Sequence, residues 1–259
     1  MVNPHGTPIW YELLTTDHGA SKAFYEAVVG WNIGPQPEGD VDYRMIETGH
    51  DGAVGGVMQL TDGMLANGAK PTWLFYIGVD DVDATVDKVT AAGGRIHLPA
   101  FDMPGVGRMA MVADPQGNPF YVMRGASDDS STAWHATRLG KCSWNELATT
   151  DQAAGNAFYA DVLGWRYPDK MSMGPAGDYV FVEAGGETIG ATMPPYDGQP
   201  NGWRFYFRTS DIEAAAATVE QRGGAVLQGP MEVPGGDMVI VATDPLGVSF
   251  GVVAAAKTA

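Results

Sequence analysis

Two glutamates sit in matching surroundings. Glu12 lies in the run Trp10-Tyr11-Glu12-Leu13-Leu14, and Glu146 in Trp144-Asn145-Glu146-Leu147-Ala148. Side chains two apart on a strand share a face, so each glutamate points the same way as a tryptophan. Burying a carboxylate beside indole is costly unless something compensates it. Glu12 and Glu146 therefore read as catalytic candidates, either hydrogen-bond acceptors or general bases. The plainer reading satisfies each with a backbone group or an arginine. Trp73, Phe75 and Ile77 form a further row, as do Trp203, Phe205 and Phe207. Apolar walls with few placed polar groups describe a small-molecule pocket, and aromatic walls suit flat or cationic ligands. The ligand-binding candidates are Trp10, Trp73, Phe75, Trp144, Trp203 and Phe205, joined by Arg108 and Tyr121. The same tryptophans could fill a cleft as readily as line it.

Other chemistries find less support. His5, His18, His50, His97 and His135 have no counterparts between the two halves and read as solvated or core-edge residues. No nucleophile motif, phosphate loop or zinc spacing appears; the glycine-rich run 49–56 sits in a hairpin and opens no helix. A net charge of -16 argues against nucleic acid and anionic membranes as partners. Cys142 is the single cysteine, which rules out an internal disulfide and fits a cytoplasmic setting. The first ten residues lack the basic and apolar regions of a signal peptide. No apolar stretch approaches membrane-spanning length. The expected partner is a small molecule, and the chain is expected to be a monomer or homodimer.

The elements that carry these residues come in copies. Residues 10–31 and 144–165 align without a gap. Both contain Thr-Thr-Asp, then Phe-Tyr, then a closing Gly-Trp, which marks an internal duplication. Each copy has one plan: a strand, an Asp cap (Asp17, Asp151), an amphipathic helix and a Gly stop. In the first half, strands are expected over 7–14, 42–47, 53–60, 72–79, 95–98, 108–112 and 120–123. Helices are expected over 18–29 and 82–92, and 61–70 reads as a polar loop. Asp114-Pro115-Gln116-Gly117 and Asp244-Pro245-Leu246-Gly247 carry the type I turn signature. The polar stretch 125–137 reads as a linker between domains at 1–124 and 138–259.

These motifs, in this order and repeated, resemble the vicinal oxygen chelate superfamily: glyoxalases, bleomycin-resistance proteins and extradiol dioxygenases. The carrying residues are Thr16-Asp17, Phe24-Tyr25, Gly30-Trp31, Val79-Asp80-Asp81, Gly93-Gly94 and Asp114 to Gly117, with their counterparts in the second half. The resemblance is to the tandem two-domain, glyoxalase-like subgroup. It implies an α+β fold of four βαβββ modules forming two domains, each with a U-shaped mixed sheet enclosing a cleft. Metal-dependent relatives place His, Gln or Glu ligands on the first and last strands of each module. Carried over, those positions fall on Trp10, Trp73, Trp144, Trp203, Tyr121 and Gly251, with Met58 and Met193 near the remaining two. Indole N–H is a donor only and cannot ligate a metal. No cofactor is therefore expected, and a divalent metal in a lyase, isomerase or dioxygenase is the alternative. The leading functional reading is a small-molecule-binding protein that sequesters or detoxifies an aromatic or cationic compound. A structural protein with plugged clefts is the third.

Overall fold

The computed structural model describes residues 3–38, 41–49, 51–195 and 200–256. The first module is β1 (Pro8–Thr15), α1 (His18–Val29), β2 (Asn32–Ile33), β3 (Tyr43–Glu47) and β4 (Ala53–Gln59), followed by a short helix α2 (Asp62–Ala66). The second is β5 (Thr72–Gly78), α3 (Val82–Ala91), β6 (Arg95–Met103), β7 (Gly107–Ala113) and β8 (Pro119–Gly125). The third is β9 (Cys142–Ala148), α4 (Gln152–Leu163), β10 (Lys170–Ser172), β11 (Asp178–Ala184) and β12 (Glu187–Met193). The fourth is β13 (Gly202–Arg208), α5 (Ile212–Gln221), β14 (Ala225–Glu232), β15 (Asp237–Thr243) and β16 (Ser249–Ala255). The strands form two eight-stranded mixed sheets, in the orders β2-β3-β4-β1-β5-β8-β7-β6 and β10-β11-β12-β9-β13-β16-β15-β14. The fold is α+β, with two glyoxalase-like domains. Among the described residues no helix is long and apolar enough to cross a membrane.

Local chemistry explains the elements. Asp17 accepts a hydrogen bond from the Ala20 N–H at 2.9 Å and starts α1. Gly30 ends it at φ +83°, a conformation other residues adopt at a cost. Phe24, Tyr25, Val28 and Val29 are buried along one face. In each module the first strand pairs in parallel with the last, as β1 does with β4 through Tyr11 and Gly55. Gly55 permits that approach: a Cβ there would lie 1.7 Å from the Tyr11 carbonyl oxygen.

Three features depart from the expected elements. β2 and β10 are too short to show alternation in sequence. α2 falls inside the expected loop; Thr61 caps it, and no residue of it is buried, so it leaves no apolar period. β6 continues past Leu98 to Met103. Pro99 is tolerated because β6 closes one end of its sheet and is bulged on both sides of Leu98.

The chain divides into two compact units, each joining a module from the first half to one from the second. One holds Met1–Ile9, Leu74–Ser131 and Trp144–Trp203; the other holds Trp10–Trp73, Thr132–Ser143 and Arg204–Ala259. In the latter, α1 packs on α5, and a Cβ on Gly224 would come within 2.9 Å of the Phe24 ring. In the former, α3 packs on α4, and a Cβ on Gly94 would come within 3.0 Å of Phe158. The second glycine of each Gly-Gly stop thus makes room for the neighbouring helix.

Candidate functional site

Alternation along β9 and β11 builds one wall. The Trp144 indole N–H donates to the Tyr179 hydroxyl at 2.7 Å, and that hydroxyl donates to Glu146 Oε2 at 2.9 Å. Phe181 sits edge-on to both rings, with centroids 6.1 Å from Trp144 and 5.8 Å from Tyr179. Phe181, Ala191 and Glu146 lie side by side across β11, β12 and β9. Glu146 is buried, while the three rings are half-buried. The tyrosine hydroxyl is fixed as acceptor from indole and donor to carboxylate, a charge-assisted arrangement. Aromatic faces stay partly accessible beside an oriented carboxylate.

The other unit repeats the pattern on β1 and β3. The Trp10 indole donates to the Tyr43 hydroxyl at 2.7 Å. Glu12 is buried two residues along, in a row with Gly56 and Met45. The Tyr43 ring lies over Gly56, where a Cβ would be 2.2 Å from it. Met45 takes the place of Phe181. Neither tyrosine was among the candidates read from the sequence. Their signal was available: Asp-Tyr opens the hairpin in both copies, at 42–43 and 178–179.

The remaining candidates lie elsewhere. Tyr121 stacks on Tyr76 with centroids 4.2 Å apart and planes 5° apart. Its counterpart Gly251 lies under the Tyr206 ring, 2.1 Å from where a Cβ would be. Arg108 is held by Asp83 at the start of α3 through two bonds of 2.7 Å and by Asp102 at 3.1 Å. Trp73 donates to Tyr25 of α1 at 2.9 Å, and Trp203 to Tyr159 of α4 at 3.2 Å. Phe75 packs on Trp203 with centroids 4.7 Å apart, and Phe205 on Tyr11 at 5.3 Å. These four aromatic residues therefore turn towards the helices; Trp73, Phe75 and Phe205 are buried and Trp203 is half-buried. The alternating residues Leu74, Tyr76, Arg204 and Tyr206 take the opposite face. A register carried over from sequence is easily off by one, and one residue reverses every side chain.

Trp73 and Trp203 each begin a relay of hydrogen bonds. In one unit Trp73 bonds Tyr25, and Tyr25 donates to Asp244 Oδ2 at 3.2 Å. In the other, Trp203 bonds Tyr159, which donates to Asp114 Oδ2 at 3.1 Å. Both aspartates open the expected turns; Asp114 also accepts the Asn118 N–H, and Asp244 those of Leu246 and Val248. Burial, then the neighbouring aspartate, pushes the tyrosine hydroxyls well above their usual pKa, so they remain donors.

His18 is buried rather than solvated. Its Nε2 lies 2.9 Å from the Val57 carbonyl, and its Nδ1 lies 2.9 Å from Asp42. Arg44 grips the same carboxylate at 2.9 and 2.8 Å. Arg44, then His18, hold Asp42 down at about 2 against the opposing effect of burial. Gln152 does the equivalent work in the third module, donating to the Thr192 carbonyl at 2.7 Å. His50 lies outside the described residues.

Among the described residues no group of three His, Cys, Asp or Glu side chains could hold a metal ion. Of the positions that the resemblance assigns to ligands, Trp73 and Trp203 turn towards the helices, and the others carry indole, phenol, thioether or no side chain. Indole and a neutral phenol are poor donors to a hard divalent cation.

The family model described as Glyoxalase/Bleomycin resistance protein/Dioxygenase superfamily matches residues 8–122 and 138–252. A Mycobacterium tuberculosis protein named "Putative glyoxylase CFP32" is 37% identical over 250 residues, spanning 95% of this chain and 94% of that protein. The Streptomyces peucetius anthracycline biosynthesis protein DnrV is 27% identical over 270 residues, 96% of this chain and 93% of that protein. The Mn(II)-bound glyoxalase from Novosphingobium aromaticivorans shares the fold with a TM-score of 0.65 at 18% identity, covering 98% of this chain and 83% of that one. The 2,3-dioxygenase LapB from Pseudomonas sp. KL28 gives the same TM-score of 0.65 at 14% identity, over 99% and 94%. Two matched repeats and a relative aligned along nearly its whole length place the chain in the glyoxalase/bleomycin resistance protein/dioxygenase superfamily.

Proposed function

We propose that this protein binds a flat aromatic or cationic small molecule without a metal at the superfamily's usual positions, and sequesters or detoxifies it. The observation that carries the reading is the chain from Trp144 through Tyr179 to Glu146, with Phe181 beside it. Half-buried ring faces supply stacking, and the oriented carboxylate supplies one polar or cationic contact. DnrV is named for the biosynthesis of anthracyclines, which are polycyclic aromatics. The test is calorimetric titration with planar aromatic compounds, cationic and neutral. W144A is expected to weaken binding roughly tenfold or more, and Y179F and E146Q severalfold. Indifference of binding to all three variants would refute the site, and failure of every compound to bind would favour plugged clefts.

A second reading is an enzyme in which Glu146 or Glu12 acts as a general base. The buried Glu146 favours it, because Tyr179 holds that carboxylate in one orientation. It predicts that E146Q abolishes turnover of a bound compound while leaving its affinity largely intact. Stoichiometric metal in protein purified without chelator would instead support a metal-dependent lyase, isomerase or dioxygenase.

A further inference from the structure

A recess of about 500 Å³ opens in the unit that holds α1 and α5, whereas the Trp144 wall belongs to the other unit. Its lining includes Val29, Asp51, Arg138, Leu139, Thr209 and Ser210. Arg138 Nη1 donates to Asp51 Oδ2 at 2.7 Å. Among the described residues the other guanidinium nitrogens and the Thr209 and Ser210 hydroxyls make no further hydrogen bond. Behind the lining, Lys141 is fully buried, its ammonium 2.6 Å from the Asp51 carbonyl and 3.3 Å from that of Gly52. The Asp211 carboxylate, next to Ser210, is occupied with the N–H groups of its own helix. At the lining one cation, Arg138, is paired with one carboxylate, Asp51, and a second cation, Lys141, lies behind them on backbone carbonyls, in a chain whose net charge is -16. Leu139 is 57% exposed at the rim.

The arrangement belongs to one copy. At the duplicated positions, Pro4 stands for Arg138, Thr7 for Lys141, Val79 for Thr209 and Asp80 for Ser210. The connection carrying Asp51 spans 48–52, whereas its counterpart spans 185–186. The shared backbone scaffold is kept all the same. Trp31 donates to the Gly140 carbonyl at 2.7 Å, just as Trp165 donates to Gly6 at 2.7 Å. The charged, hydroxyl-lined recess thus occurs in one copy of a scaffold contact that both copies share.

We infer that this recess is a second binding site, for a small organic oxyanion with a short aliphatic body. Arg138 meets the carboxylate or phosphate, Thr209 and Ser210 donate to it, and Leu139 and Val29 cover the alkyl part. The probes are butyrate and butyl phosphate, titrated into the full-length protein by NMR at constant ionic strength, with butanol as the uncharged control. These aliphatic probes do not test the aromatic wall, so the two sites stand or fall separately. At least one oxyanion is expected to saturate near about 1 mM. R138Q should weaken it roughly tenfold at unchanged Tm, and W144A should leave it unaltered. Stronger binding of butyl phosphate would assign the site to phosphate monoesters, and stronger binding of butyrate to carboxylates. No saturation by either, equal binding of butanol, or an unchanged response in R138Q would overturn the site.

Discussion

At the scale of single residues, the duplication supplies its own controls. His18 and Gln152 occupy matching helix starts, and each lies within hydrogen-bond distance of the matching carbonyl, Val57 or Thr192. H18Q is therefore expected to keep nearly all stability. H18L, which removes the imidazole from the Val57 carbonyl and leaves Asp42 to Arg44 alone, should cost about 1–3 kcal/mol in chemical denaturation. Asp42 gives a pH signature. Its folded-state pKa is depressed from 3.8 to about 2, so its stabilisation is present above the unfolded value and lost as pH falls through the folded one. The window is about pH 4 to pH 2. The contribution is on the order of 2 kcal/mol, and D42N should remove that part of the acid sensitivity in Tm measured against pH.

At the scale of elements, similar-looking glycines make different demands. G30A changes a helix end with open space around the added methyl, and should cost about 1 kcal/mol. G190A drives a Cβ to 1.9 Å from the Asn145 carbonyl oxygen at the β12–β9 pairing, and should abolish soluble folded protein. Circular dichroism of the two variants separates the cases. The edge strands also show restraint. β6 and β14 end their sheets and present Ile96, Leu98, Leu227 and Met231 to solvent, but each is bulged twice and carries a proline. Such edges resist pairing with another chain. The caps and glycine stops were legible in sequence because they act over four residues. β2, β10 and α2 were not, because elements that short carry no periodicity.

At the scale of the whole molecule, each core is assembled from both halves of the sequence. Tyr25 reaches Asp244, and Tyr159 reaches Asp114. Cutting an engineered protease site within the exposed stretch 128–130 should therefore leave the fragments together in gel filtration under native conditions. Separation of the halves would contradict this account of the cores. D244A or D114A should each cost about 1–3 kcal/mol, because a buried tyrosine hydroxyl and nearby backbone donors lose their acceptor.

The sequence by itself determined the duplication, the four modules, the helix caps, the Asp-Pro turns and the superfamily, because these depend on spacings along the chain. It also located Trp10, Glu12, Trp144 and Glu146 on strands, since alternation is local. Tertiary structure decided which way Trp73, Phe75, Trp203 and Phe205 turn, since strand parity is set by what packs on each face. It brought Tyr43 to Trp10 and Tyr179 to Trp144 and Glu146. It joined the turn aspartates to helices far away in the chain and gave one copy alone a charged recess. Each of these needs packing or hydrogen-bond partners tens to hundreds of residues apart, which no spacing in the sequence specifies.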